Sequence, residues 1–128
     1  MTTQKLFICK YCGNIVAKIH NGGGELVCCG DPMQELVPNT VDAAQEKHVP
    51  VIDIAGAKVN VAVGSTLHPM LAAHYIQWIY LATTHGGHFW KLGPGDEPKA
   101  EFVLTEGEEP LAAYEYCNLH GLWMAEVK

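Results

Sequence analysis

The chain predicts a mainly β protein: a small metal-stapled β knuckle followed by an immunoglobulin-like β-sandwich. Three observations predict it. Four of the five cysteines stand at positions 9, 12, 28 and 29, and the fifth, Cys117, stands alone near the end. Beyond the cysteine-rich stretch, seven short runs rich in β-branched and aromatic residues follow within about 80 residues, most of them separated by Gly, Pro or Asp. Between the two regions lies Leu36-Val37-Pro38-Asn39-Thr40, a proline-containing polar break. It divides the chain into a minidomain, 1–38, and a second domain, 39–128.

The first region is too short to bury the apolar surface that folding requires, so a metal, a disulfide or a partner chain must stabilise it. Cys12-Gly13 and Asn21-Gly22-Gly23-Gly24 signal turns, with short strands predicted over 14–19 and 25–28. Cys9-x-x-Cys12-Gly13 has the form of a metal knuckle, two thiolates across a tight turn. Cys28-Cys29 is unusual. Adjacent side chains on a strand point to opposite faces, so both reach one ion only if the backbone bends sharply. Sulfur-only ligation suits zinc or iron, as a structural staple or a redox site. A vicinal disulfide is the competing reading of the pair.

In the second region the alanine-rich stretch 41–45 predicts one helical turn leading into Glu46-Lys47-His48. Strands are then expected over 49–54, 58–63, 74–83, 88–92, 99–104, 111–117 and 122–127. The second of these alternates cleanly and places Val59, Val61 and Val63 on one face. Residues 70–80 are compatible with a helix by composition, but Tyr75, Ile76, Trp78 and Ile79 favour strand. Glycines at 56, 64, 86, 87, 93, 95, 107 and 121 separate most of these runs.

A second constellation draws on the seven histidines. His48 precedes Val49-Pro50, His68 precedes Pro69-Met70, and His74 opens the run ending in Trp78. Residues next to proline are biased towards extended backbone, which suits side chains projecting from loops. Cys117-Asn118-Leu119-His120-Gly121 brings a thiol and an imidazole within reach of one ion, with Gly121 allowing the turn. His20, His85 and His88 have no such setting and are expected at the surface, His85-Gly86-Gly87-His88 as a hairpin tip. One rival stays open at this level. Cys117-x-x-His120-x-x-x-Met124 has the spacing of a blue-copper ligand loop, which would make the protein an electron carrier.

Charge narrows the function. The formal net charge is −6, all eight cations are lysines, and the deficit lies wholly in residues 39–128. Neither nucleic acid nor an anionic membrane suits such a surface. The longest apolar run, 75–82, is too short to span a bilayer. The opening residues carry no export leader, which predicts an unprocessed cytoplasmic chain, and there an odd cysteine count favours metal or catalytic use over disulfides.

Cys9-x-x-Cys12, Cys28-Cys29, Glu46-Lys47-His48-Val49-Pro50, His68-Pro69-Met70, His74-Tyr75-Ile76-x-Trp78 and Cys117-Asn118-Leu119-His120-Gly121 together resemble the desulfoferrodoxin family, two-iron superoxide reductases with an N-terminal desulforedoxin-like domain. Residues 83–110 carry no matching motif. The resemblance implies one iron held by Cys9, Cys12, Cys28 and Cys29, and a second held by His48, His68, His74 and His120 with Cys117 axial. It implies one-electron reduction of superoxide to hydrogen peroxide without oxygen release, electrons from a rubredoxin-type donor, a homodimer, and detoxification under oxidative stress in an anaerobe or microaerophile. Four imidazoles and one thiolate fill five positions of a square pyramid and leave one open; an axial thiolate donates electron density to iron. By the same resemblance Glu46 caps the oxidised iron and Lys47 assists superoxide. Lys47 is also the natural electrostatic guide, because screening lets one nearby cation outweigh charge beyond roughly 8–10 Å.

Overall fold

Antiparallel strand pairing organises residues 4–128, which the computed structural model describes; Met1, Thr2 and Thr3, part of the opening run read above for a leader, lie outside them. The chain separates into two units at the Val37–Pro38 step.

In the first unit β1 (Leu6–Ile8) is the centre of a three-stranded sheet, flanked by β2 (Ile15–Ala17) and β5 (Gln34–Glu35). β3 (Val27–Cys28) and β4 (Asp31–Pro32) form a separate hairpin. Its two turn residues, Cys29 and Gly30, have φ of 53° and 79°. Paired positive φ is the signature of a type I′ turn, whose twist matches the strands it joins. Glycine takes that conformation freely; Cys29 adopts it at a cost. This is the sharp bend that Cys28-Cys29 requires. Leu6 and Cys9 are the buried hydrophobic residues of this unit, 1% and 2% exposed, so little apolar surface holds it together.

The second unit is a sandwich of seven strands. Its three-stranded sheet has the order β10-β7-β6, made of β6 (Pro50–Ala55), β7 (Lys58–Val63) and β10 (Lys99–Val103). Its four-stranded sheet has the order β12-β11-β8-β9, made of β8 (Ile76–Thr83), β9 (Gly86–Lys91), β11 (Pro110–Cys117) and β12 (Gly121–Glu126). Val59, Val61 and Val63 are at most 1% exposed and pack against Ile76, Ile79, Leu81, Phe102, Ala113 and Cys117. The alternation read along 58–63 is therefore the inner face of β7. The four-stranded sheet is covered on its other face by rings, with Tyr80 lying 4.3 Å from Phe89 and 5.8 Å from Tyr114 between centroids. No helix among the described residues is long and apolar enough to cross a membrane.

Several elements depart from the sequence reading. The helical turn α1 is Gln45–His48, so Glu46, Lys47 and His48 lie inside it and not after it. β8 begins at Ile76 because Leu71 and His74 pair as an isolated bridge and hold the preceding segment as a loop. Gly86 and Gly87, read as a hairpin tip, belong to β9; the Tyr80 hydroxyl donates to the Gly86 carbonyl at 2.8 Å, and its ring occupies the space a side chain at Gly87 would need.

Candidate metal centres

The first centre is built by two tight turns. After β1, the Cys9 amide donates to the Asn14 carbonyl and the Gly13 amide to the Cys9 carbonyl, both at 2.9 Å, folding Cys9 and Cys12 onto one side. The type I′ turn presents Cys28 and Cys29. All four sulfurs lie within 4.8 Å of one another, with Cys12 Sγ 3.6 Å and Cys29 Sγ 4.0 Å from Cys28 Sγ. Cys9 is buried, whereas Cys12 and Cys29 are exposed. The sulfurs do not form a disulfide; all are free. The Cys12 backbone N–H leads the factors that pull the Cys9 thiol down to about 6. Hydrogen bonds that the Cys29 thiol donates to Cys12 and Cys9 lead the factors that push it up to about 12. Four sulfurs this close ionise together only around a cation, and an all-thiolate tetrahedral set fits zinc or iron. The Tyr11 hydroxyl reaches Asp31 Oδ2 at 2.7 Å, tying the two cysteine turns to each other.

The second centre is a closed square of imidazoles at one end of the sandwich. Ring centroids run 4.8 Å from His48 to His68, 4.6 Å to His74, 5.2 Å to His120 and 4.9 Å back to His48. Each ring stands nearly perpendicular to its neighbours, at 75° to 88°. Cys117, 0% exposed, lies beside them with Sγ 3.8 Å from His120 Nδ1.

Hydrogen bonds settle which nitrogens face inward. His48 Nδ1 donates to the Ala44 carbonyl at 2.7 Å and His68 Nδ1 to the Pro69 carbonyl at 2.6 Å, so Nε2 of each turns to the centre. His68 Nε2 and His74 Nε2 are buried without a hydrogen-bond partner among the described residues. His120 alone presents Nδ1, 3.1 Å from His48 Nε2. Burial is the main force holding His68 down to about 4 and lowering His48 and His74. These three rings are kept neutral and offer lone pairs. Orphaned buried nitrogens aimed at one point, beside a buried thiol, are the donor set of a metal site.

Four segments converge to build it. α1 carries His48, and its Glu46 carbonyl accepts the Thr66 amide at 2.9 Å, docking the turn on the loop that follows β7. That loop returns through a His68 amide to Val63 carbonyl bond of 2.8 Å. Asn118 stitches the remaining two: its Oδ1 accepts the Tyr75 amide at 2.9 Å and its Nδ2 donates to the Ala73 carbonyl at 3.0 Å. A register shift in the β11–β8 pairing between Tyr116 and Cys117 sets the thiol opposite Ile76, as bulges beside functional sites commonly re-aim a side chain.

The structure therefore brings together all nine residues singled out as ligands, in two groups. Glu46 and Lys47 are exposed on α1, and the Lys47 charge acts on His74. Met124, the axial candidate of the copper reading, follows Trp123 on β12; Trp123 stacks on His48, so alternation turns Met124 away. His20 and His85 are exposed. His88 differs from expectation, since its Nε2 lies 2.8 Å from the buried Glu108 carboxylate, which also takes the Thr83 hydroxyl and the Thr105 amide. Sequence reasoning assigned no role to Asn118, Trp123 or Glu115. Asn118 stands inside a quoted motif and Trp123 three residues beyond it, and those positions were the available signal. Glu115 is 0% exposed, its oxygens have no partner among the described residues, and burial pushes its carboxyl up to about 9.

Both units of the chain are similar to known proteins. The family model described as desulfoferrodoxin matches residues 40–126, and that of the desulfoferrodoxin N-terminal domain matches residues 2–36. The chain is 53% identical to a desulfoferrodoxin of Syntrophotalea carbinolica over 122 residues, 95% of each chain. It is 48% identical to that of Nitratidesulfovibrio vulgaris over 122 residues, again 95% of each. Among solved structures, the superoxide reductase of Treponema pallidum superposes with a TM-score of 0.81 at 35% identity, covering 97% of this chain and 99% of that one. A one-iron superoxide reductase of Giardia intestinalis gives 0.56 at 35% identity, covering 65% of this chain and 98% of its own.

Proposed function

The chain belongs to the desulfoferrodoxin family and is an enzyme of the superoxide reductase family, and from that premise we propose how its residues divide the work. The observation that carries the reading is the square of four imidazoles beside a buried thiol, with two inward nitrogens otherwise unpartnered among the described residues. His48, His68 and His74 through Nε2, His120 through Nδ1 and Cys117 through Sγ hold one iron. Cys9, Cys12, Cys28 and Cys29 hold the other. Iron in the five-ligand site supplies the one-electron reduction of superoxide to hydrogen peroxide.

The protein's own groups handle the anion and the protons. Lys47, exposed on α1 in a strongly acidic domain, concentrates superoxide at the mouth of the site. Its ammonium orders the water that delivers a proton. Glu46, on the same turn, is the carboxylate that caps the site at rest. The Nδ1 bonds of His48 and His68 to main-chain carbonyls keep their rings from turning as charge changes nearby.

Residues 1–38 act as the desulforedoxin-like minidomain and 39–128 as the catalytic domain. A rubredoxin-type carrier supplies the electrons, the working form is a cytoplasmic homodimer, and the role is superoxide detoxification in an anaerobe or microaerophile. The decisive experiment mixes the reduced, iron-loaded chain with superoxide without oxygen. One donor electron consumed per superoxide, with peroxide and no oxygen as products, is expected. Oxygen evolution would mean dismutation and sink the reading. Reduced rubredoxin should re-reduce the enzyme, and sedimentation should give the mass of two chains.

A further inference from the structure

Trp123 stands in the second unit where two of the four imidazoles meet. On β12 it pairs with Glu115 of β11, and Gly121 pairs with Cys117. Residues directly opposite in an antiparallel pair share a face, so Trp123, Glu115 and Cys117 all point into the sandwich. Trp123 is 2% exposed. Its ring lies 5.0 Å from that of His48 at an interplanar angle of 28°, a stacked arrangement. Its indole Nε1–H donates to the main-chain carbonyl of His120 at 3.1 Å.

The two contacts fix two ligands that come from opposite ends of the domain's sequence. His48 is already held at one edge by its Nδ1 bond to Ala44, which leaves rotation about that bond as its remaining freedom. A flat ring packed on its face removes it. His120 is held differently. Its Nδ1 faces the centre, and among the described residues no main-chain carbonyl takes a proton from its Nε2. The bond from Trp123 to its carbonyl fixes the backbone from which that ring projects. Tryptophan is the side chain that joins a broad stacking face to a single N–H donor at its edge.

We infer that Trp123 is a positioning residue for the five-ligand site, setting the plane of His48 by stacking and the placement of His120 by its indole hydrogen bond. The inference rests on the reading of this centre as the iron site. It implies that the identity of residue 123 governs how tightly the centre keeps its metal and how the Cys117 thiolate is presented to it, beyond any share in overall stability.

The test compares Trp123→Phe, which keeps a stacking ring and loses the donor, with Trp123→Leu, which loses both. Phe102→Leu, a core change on β10 away from the centre, serves as the control. In the iron-loaded full chain, release of iron from the five-ligand site to a chelator and the thiolate-to-iron absorption band are recorded, with the four-cysteine iron as internal reference. Trp123→Phe should release the iron about tenfold faster, the consequence of one lost buried hydrogen bond. Trp123→Leu should do so about a hundredfold faster and shift the band, because stacking is lost as well. Phe102→Leu should lower the melting temperature and move neither readout. In the metal-free chain the Trp123 indole proton should exchange slowly with solvent, a readout independent of iron. Release and band within twofold of wild type in Trp123→Leu, or changes matched by Phe102→Leu, would overturn the inference. A wild-type chain that loads iron and reduces superoxide while the Trp123 variants match it in iron release and absorption band overturns the inference alone. A wild-type chain that fails to load the centre overturns the reading of the site and the inference with it.

Discussion

Gly64 supports the catalytic end through a contact that a single methyl group should destroy. A Cβ placed on Gly64 would sit 2.6 Å from the Glu46 carbonyl oxygen and 3.1 Å from the carbonyl carbons of Glu46 and Lys47, where ordinary contact begins at 3.4 Å. All three atoms are backbone, so no side chain can swing away, and α1 must retreat by about 0.8 Å. The Glu46 oxygen is also held by the Thr66 amide at 2.9 Å, a bond worth about 1 kcal/mol that the retreat stretches or breaks. Overpacking of this kind costs a further 1–3 kcal/mol or so. The Val49 amide to Gln45 carbonyl bond of 2.9 Å makes α1 one rigid turn, so the displacement reaches His48 and Lys47 undiminished. Misplacement by about 1 Å costs on the order of a hundredfold in rate. Gly64→Ala should therefore reduce superoxide ten- to a hundredfold more slowly and underload the five-ligand site, while the four-cysteine absorption stays at full strength. Stopped-flow kinetics with iron quantified per site measures both. Full loading and a rate within twofold of wild type would refute the argument that this contact holds α1 in place.

Three further outcomes follow from the same structure. Lys47→Ala should lower the bimolecular rate with superoxide severalfold and flatten its dependence on ionic strength, measured by pulse radiolysis; an unchanged salt slope removes the steering role. The Thr83 hydroxyl, then His88 and Thr105, hold the Glu108 carboxyl down to about 2 from its ordinary 4.5, so between those values the unfolded chain binds more protons and stability rises with pH. This contribution is complete above pH 4.5 and vanishes as pH falls towards 2, and Glu108→Gln should show a shallower drop in melting temperature over that window; parallel curves would contradict it. Chelation of the four-cysteine metal should abolish hydrogen-exchange protection in β1 and β2 while β7, β8 and β11 keep theirs, since the first unit has little core of its own and the second buries three valines on β7 alone.

Most of the donor set was legible because ligand chemistry is local. Cys9 and Cys12 announce themselves by spacing, and Cys117 and His120 by a short turn. Strand β7 was legible because alternation maps directly onto its two faces. The β8–β9 hairpin was misplaced because Gly86 and Gly87 are strand residues here, admitted by the Tyr80 ring lying over them, which is a cross-strand fact. Glu108 and His88 were separated by 20 residues with no motif between them, and only the hairpin brings them to 2.8 Å. The helical turn was placed one step early because its position depends on the Glu46 carbonyl meeting the Thr66 amide, not on helix propensity.

Residue type and spacing by themselves marked out the four-cysteine group, the pairing of Cys117 with His120, the histidines that are candidates to join them and the β character of both units, and the family resemblance completed the second ligand set. Only the tertiary structure decided which ring nitrogen each histidine offers, that the four rings close a square, and that Trp123 and Gly64 hold two of its sides. The reason is physical. Coordination chemistry depends on atoms a residue always carries, whereas tautomer, ring plane and close approach depend on partners that reach a residue only when distant strands are brought into register.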